Sequence, residues 1–472
     1  MSTDNGVEAR TVPHRSFWLQ QVEGDPPDAP SLAGAEKADV AIIGGGYVGL
    51  WTAIRIKELD PACDVVVVDQ DICGGGASGR NGGFVLSWWP KLASLTRLFG
   101  AEEAVRIGRS SEAAIDEIRA FSERHAIDTD FRRGGWLWTA TCAAHDDAWA
   151  SVLRICDRMD VGAFRALDAR ETQRRGGSPV YRASVFESSA ALVQPAALVR
   201  GLRRVALELG VRIFEHTKVL RFTRRRPVQI TVPRGTLVAE RLVIASNAWA
   251  AGIREFGMAI AVISSDMVVT APIPDRLRQI GWDADLGITD SQTMVDYYRI
   301  TRDGRIAFGK GGWTIALGGR IGGAFDRHPR RTAEVSADLR RYYPMLSDVR
   351  VTHDWSGPID RTPSSLPLLG RFRRHDHIVY GVGWSGNGVG PSVIGGRILA
   401  SLALRKDDEW SRHPLVGCAV GRFPPEPIRF IGAHVVRSAV VSRERAEMAG
   451  RRPPYLAALL SRLAPAGLED KA

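Results

Sequence analysis

The sequence predicts an α/β fold: a sheet of buried strands crossed by helices, interrupted by a region of α+β character. Three observations predict it. Val40 to Ile43 is an apolar run that passes through Gly44-x-Gly46-x-x-Gly49 into the helical stretch Leu50 to Ile56. Val65-Val66-Val67-Val68 is a second apolar run, closed by Asp69, 20 positions after Gly49 (69 − 49). His377 to Tyr380 is a third, followed by a glycine-rich run and the helical stretch Ser392 to Ala400. Short continuous apolar runs bounded by turn residues suit strands buried on both faces of a sheet.

The first unit reads as a Rossmann-like βαβ element. Gly44 permits the tight turn, Gly46 lets backbone approach a pyrophosphate, and Gly49 lets helix and strand pack closely. The pyrophosphate would meet unsatisfied N–H groups at the positive end of the helix dipole. Asp69 would accept hydrogen bonds from ribose hydroxyls, and Val48 and Gln70 complete this part of the expected binding set. A nicotinamide-binding unit normally runs straight on into another helix and strand. Here the glycine-rich loop Asp71 to Phe84 follows, carrying Ser78, Gly79, Arg80, Asn81 and Gly82, and it suits backbone amides wrapped around a large anionic cofactor. The late run Gly381 to Pro391, with Trp384, Ser385, Gly386, Asn387, Gly388 and Val389, offers a second helix N-terminus to a polar ring. The two loops together point to FAD.

Composition suits a large enzyme. The 472 residues exceed one typical domain, so two are expected. The five cysteines are odd in number and form no CxxC, which indicates neither a disulfide framework nor a zinc site. No apolar stretch approaches the ~20 residues of a spanning helix, and no signal segment precedes Gly44, so the expectation is a cytoplasmic protein without a transmembrane segment. The net charge of +10 comes from 63 basic residues mixed among 53 acidic ones. The one dense basic run in the middle, Arg224-Arg225-Arg226-Pro227, sits between two short strand patterns and reads as a solvated hairpin.

Along the chain, residues 1–36 read as an arm whose Phe17-Trp18 docks on the body and whose Pro26-Pro27-Asp28-Ala29-Pro30 is an extended linker. Residues 101–125 carry an amphipathic helical pattern, and a helix over 198–210 begins near Pro195 and ends at Gly210. Val211 to Val219 and Leu242 to Ala245 are expected to return to the first sheet, the latter ending at Asn247. Strands at 262–270, 294–300 and 305–309 read as a separate antiparallel sheet. The expected domains are 37–100, 190–256 and 346–406 around the cofactor, and 101–189 with 257–345 around the substrate. Residues 407–472 form a helical extension with an apolar stripe (Ile428, Ile431, Val435, Val436) flanked by arginines. Such a helix packs on its own domain, on a second copy or on a membrane surface. A homodimer through this extension is one of these options.

These residues resemble the D-amino-acid-oxidase-like flavoproteins, with the likeness greatest to the γ-glutamylputrescine-oxidase-like branch. The resemblance runs from about Lys37 to Leu404. It rests on the two glycine loops, Val193-Gln194-Pro195, Leu242 to Trp249, Tyr297-Tyr298-Arg299 with Asp303-Gly304-Arg305, and Trp355 to Pro363. It implies a discontinuous FAD-binding domain and an α+β substrate domain whose antiparallel sheet covers the flavin. It also implies that the backbone at Val219 lies beside the adenine. The activity it implies is hydride transfer from the C–N carbon of a small amine or amino acid to flavin N5, giving an imine that hydrolyses, with O2 or another acceptor reoxidising the flavin.

Members with covalent flavin carry a cysteine where Gly357 stands here, so non-covalent FAD is expected. The oxygen-activating lysine of sarcosine-oxidase-like members aligns with Ala307, with Lys310 three residues on. Tyr298, Arg299 and Lys310 are placed on the substrate side, Arg299 to hold an anionic group; Tyr297 and Tyr298 face opposite sides of a strand, so one of them reaches the pocket. No catalytic base is assigned, His353 included, and no metal or nucleic acid is expected. Two other classes remain open: a flavin-dependent tRNA-modifying enzyme, and a flavoprotein subunit of a hetero-complex.

Overall fold

A computed structural model of the chain describes residues 14–22, 27–419, 421–465 and 467. Of the expected arm, residues 1–13 and 23–26 lie outside these. Strand Gly34–Ile43 is central: it pairs in parallel with Gly235–Ile244 on one side and Val65–Val68 on the other. Arg212–Phe214 and His375–Val382 extend the sheet in parallel, and Leu368–Phe372 closes one edge antiparallel. All four valines of Val65–Val68 are buried, as a strand covered on both faces requires. Helices Tyr47–Leu59, Pro195–Glu208 and Ser392–Leu404 pack together against this sheet.

The second sheet has the order Val351–Arg361, Ala261–Thr270, Ile306–Ile315, Asp296–Ile300, Gly287–Asp290, Trp136–Ala140, Ala183–Glu187, Arg165–Leu167. Its pairings are antiparallel except that of Gly287–Asp290 with Trp136–Ala140. Helix Pro329–Tyr342 backs it, enclosing a core of Tyr298, Phe308, Val335 and Leu339.

Two expected boundaries shift. Val351–Arg361, expected in the cofactor domain, pairs along the length of Ala261–Thr270 and belongs to the second sheet. Helix Ala101–Arg124, expected with the substrate domain, buries Ile107, Ile115, Ile118 and Phe121 in the core that contains Trp51 and Ile398. Phe121 meets Trp51 edge-on at 4.6 Å. An apolar stripe states that a helix must be covered and leaves open by what. The strand expected to span Val211 to Val219 covers only Arg212–Phe214. Phe17 and Trp18 are buried beside Trp355 and Ala307, which docks the arm. Among the described residues no helix is long and apolar enough to cross a membrane.

Candidate active site

One continuous cavity of about 1870 Å³ lies between the two sheets. Sites for single small molecules span roughly 300–1,000 Å³, so there is room for a dinucleotide with a substrate beside it. At one end stands the first glycine turn. Gly44 has φ +110°, and a Cβ there would sit 2.5 Å from the Ala245 carbonyl oxygen. A Cβ on Gly49 would overlap the Gly44 carbonyl oxygen, so helix Tyr47–Leu59 approaches its strand as only glycine allows. No side chain caps that helix at Gly46, which opens its positive end to an anion. Ser78 Oγ accepts the Tyr47 N–H at 3.0 Å and stands over the same turn.

Asp69 follows strand Val65–Val68 and is aimed back at the turn. Its Oδ2 accepts the Gly45 N–H at 2.7 Å and its Oδ1 the Asp71 N–H at 2.9 Å. Burial pushes its carboxyl up to about 7, against the lowering effect of those two N–H groups. Asp69 and Gln70 line the cavity, as do Gly44, Gly46 and Val48. Gly49 does not line it; its role is the close packing just described.

The loop after Asp69 is held by its own side chains. Asn81 Nδ2 donates to the Ala77 and Ser78 carbonyls, and its Oδ1 accepts the Gly83 N–H. Arg80 donates to Gly75 O at 2.9 Å and Ser356 O at 3.1 Å and pairs with Asp326 at 3.1 Å. Its guanidinium therefore stitches the loop to the second sheet as well as lining the cavity. Ser78, Asn81 and Gly82 line it too, while Gly79 packs outward, its carbonyl accepting from Ser16. Val219 lines the same end. Asn247, at φ +45°, lines it with a buried Oδ1 that has no partner within the protein. A buried acceptor of this kind suits a donor on a bound group.

The second glycine run is shaped by Asp360. Its carboxylate accepts the Gly383 N–H at 2.5 Å and the Ser385 N–H at 3.4 Å, and burial pushes it up to about 7. Ser385 takes φ +54°, and Trp384 to Val389 line the cavity ahead of helix Ser392–Leu404.

At the other end of the cavity the second sheet contributes Ser265, Tyr297 and Gly311. Tyr297 Oη is 2.7 Å from Ser265 Oγ, and burial pushes its phenol well up, so it stays neutral. Phe84 meets the Tyr297 ring edge-on at 6.0 Å. The roof comes from the C-terminal helix Ile428–Met448, whose Gly432, Ala433, Val436 and Val440 line the cavity. That helix is tied to its own chain: Arg429 donates to Ile260 O, and Glu444 accepts the Thr293 and Met294 N–H groups.

Three expected substrate contacts are corrected. Tyr298 faces the opposite side of its strand, stacked on Phe308 at 4.7 Å with its hydroxyl 2.8 Å from that of Tyr181. Lys310 stands opposite Asp296 on that same far face and pairs with Asp296 at 3.0 Å and Asp338 at 3.1 Å. Burial would lower its pKa, but these carboxylates outweigh burial and raise it. Arg299 shares the face of Tyr297 but lies two residues along the strand, past the cavity. It is fully buried, donates to Val193 O at 2.5 Å and lies over the Trp18 ring. Ala307 is buried in that same patch, and His353 packs edge-on against Phe17.

Asp360, Phe84, Ser265 and the C-terminal roof were not among the expected site residues. Asp360 stands in the Trp355 to Pro363 stretch and was accessible in principle; the roof had no local signal. The Arg224–Arg226 run forms exposed pairs, Arg224 with Glu255 and Arg226 with Glu240, as a solvated hairpin should. Among the described residues no group of three or more His, Cys, Asp or Glu side chains is placed to hold a metal.

A family model described as DAO, FAD dependent oxidoreductase, matches residues 39–402. A probable oxidoreductase OrdL of Rhizobium meliloti (strain 1021) is 31% identical over 402 residues, covering 83% of this chain and 89% of that protein. The gamma-glutamylputrescine oxidoreductase of Escherichia coli (strain K12) is 28% identical, covering 79% of this chain and 84% of that protein. Among solved structures, glycine oxidase from Geobacillus kaustophilus superposes with a TM-score of 0.67 at 21% identity, covering 81% of this chain and 98% of that one. At that identity the likeness speaks for the fold.

Proposed function

The chain belongs to the DAO family of FAD-dependent oxidoreductases, and from that premise we propose that it oxidises the carbon–nitrogen bond of a small amine or amino acid to an imine, which water then hydrolyses. FAD held in the cavity would supply the hydride acceptor, with O2 or another acceptor reoxidising it. The dinucleotide is held by the Gly44–Gly49 turn, Asp69, the Ser78–Gly82 loop, Asn247 and the main chain of Ser385–Val389. Support comes from the placement of these groups around one cavity.

A single observation carries the amine reading. Ser265 and Tyr297 of the second sheet present neutral hydroxyls to the cavity, and among the described residues the two acids that line it from this sheet and its connections are engaged, Asp326 by Arg80 and Asp360 by the Gly383 and Ser385 N–H groups. Acids engaged in this way make poor general bases. The site suits a substrate that arrives as its free amine and is positioned for hydride loss. Tyr297 and Ser265 orient the polar end by hydrogen bonds, and Met294, Val436 and Val440 keep water out. With Arg299 and Lys310 turned away, an anionic group on the substrate would be held by Arg361 or Arg437, both of which line the cavity.

Anaerobic mixing with polyamines, N-methyl amino acids and aminophosphonates tests this. At least one amine should bleach the flavin, and deuterium on its reacting carbon should slow the bleaching. Bleaching by a 2-hydroxy acid and by none of the amines would refute the reading.

A further inference from the structure

Helix Ile428–Met448 covers the cavity with one side and leaves another side exposed. Seven of the fifteen large apolar side chains exposed among the described residues lie between Ile428 and Leu463. Tyr455 is 80% exposed, Leu463 69% and Leu456 67%. Scattered apolar residues on a surface are ordinary, but a concentration of this kind marks a contact surface. Phe430, Ile431, Val435, Leu456 and Leu460 form the walls of an apolar groove between this helix and helix Tyr455–Ser461.

Directly beside it, sharing Ser438 and Pro454, is a cleft of a different character. Its walls carry Arg330, Arg331, Arg437, Arg445, Arg451 and Arg452 against one acid, Glu334, which pairs with Arg331 at 2.5 Å. Burial and the nearby Arg331 both hold the Arg437 guanidinium below its usual range. The acids of the described extension beyond residue 420 are engaged: Glu426 with Arg429, Glu447 with Arg443, and Glu444 with the Thr293 and Met294 amides. Arg422, Arg445, Arg451, Arg452 and Arg462 are exposed.

We propose that this face of the C-terminal helical pair docks on an anionic lipid bilayer, the apolar side chains entering the headgroup region and the arginines meeting lipid phosphates. The combination of exposed apolar side chains with the exposed Arg445, Arg451 and Arg452 is what an interfacial helix uses. A second copy fits less well. A two-fold interface sets the same patch against itself, so this arginine-rich face would meet its own like charge. Ile428 and Leu463 also line the cavity, so the docked face adjoins its mouth.

The full-length, FAD-loaded protein should be sedimented with phosphatidylcholine vesicles and with vesicles containing phosphatidylglycerol. Binding is expected to the anionic vesicles, with little to the zwitterionic ones, and high salt should weaken it. The triple variant Arg445→Glu/Arg451→Glu/Arg452→Glu should weaken binding by at least about tenfold. Tyr455→Ser/Leu456→Ser should weaken it at every salt concentration. Both variants should keep the flavin spectrum and circular dichroism of the parent, which separates lost docking from lost folding. Equal binding to the two vesicle types, or binding to neither, overturns the proposal. Elution as a dimer that Leu456→Asp converts to monomer assigns the face to a second copy and overturns it equally.

Discussion

Asp69→Asn is the sharpest test of how the cofactor is held. Each oxygen of the native carboxylate already accepts one backbone N–H, from Gly45 and from Asp71. An asparagine must turn its NH2 toward one of them, losing that hydrogen bond and setting donor against donor. The variant is therefore expected to bind FAD no better than Asp69→Ala despite its near-native shape. Loss of a charge-assisted hydrogen bond to a ribose hydroxyl costs roughly 1.5–3 kcal/mol, or roughly 10- to 150-fold in Kd. The same residue makes affinity depend on pH. Its carboxyl in the free protein is pushed up to about 7 by burial, and the ionised form is the better acceptor for ribose. Affinity should therefore be full above pH 7 and fall as pH drops through it, by at most about tenfold per unit. In Asp69→Ala that dependence should flatten. Fluorescence titration of deflavinated protein with FAD reads both effects. Native affinity in Asp69→Asn, or a Kd independent of pH in the parent, would refute the reasoning.

Three further outcomes are expected. Gly357 lines the cavity and no cysteine does so among the described residues, so acid precipitation should leave the flavin in the supernatant. Arg299→Lys should lower Tm, with a cost of about 1–3 kcal/mol for the bond to Val193 O, while KM for an active amine stays unchanged; a raised KM at native Tm would return Arg299 to the substrate. Burial lowers His413 from 6.5 to about 4. Between those values the unfolded chain holds a proton that the folded chain does not, so stability is full above about pH 6.5 and declines as pH falls toward 4. The loss reaches about 3 kcal/mol at ~1.4 kcal/mol per unit. His413→Gln should flatten that slope in urea titrations at a series of pH values.

Much of the cofactor end was legible in the sequence because its physics is local. Gly44, Gly46 and Gly49 answer to backbone angles and approach distances within one turn, and Val65–Val68 announces a fully buried strand by composition alone. The substrate end was not legible in the same way. Strand alternation states that Tyr297 and Tyr298 point apart, but which of them meets the cavity depends on which face helix Pro329–Tyr342 covers. Lys310 went astray for the same reason, since it shares the helix-covered face with Asp296.

What the sequence by itself determined is the α/β class, the FAD chemistry and the residues of the glycine turns, all set by interactions between near neighbours in the chain. Tertiary structure alone decided the rest. Arg299 has the parity of Tyr297 yet lies past the cavity, where it donates to Val193 O and meets the Trp18 ring of the arm. Val436 and Val440, more than a hundred residues beyond that strand, close the cavity. Such outcomes depend on contacts between segments far apart in the chain, and no local pattern of residue types encodes which distant surface a given face will meet.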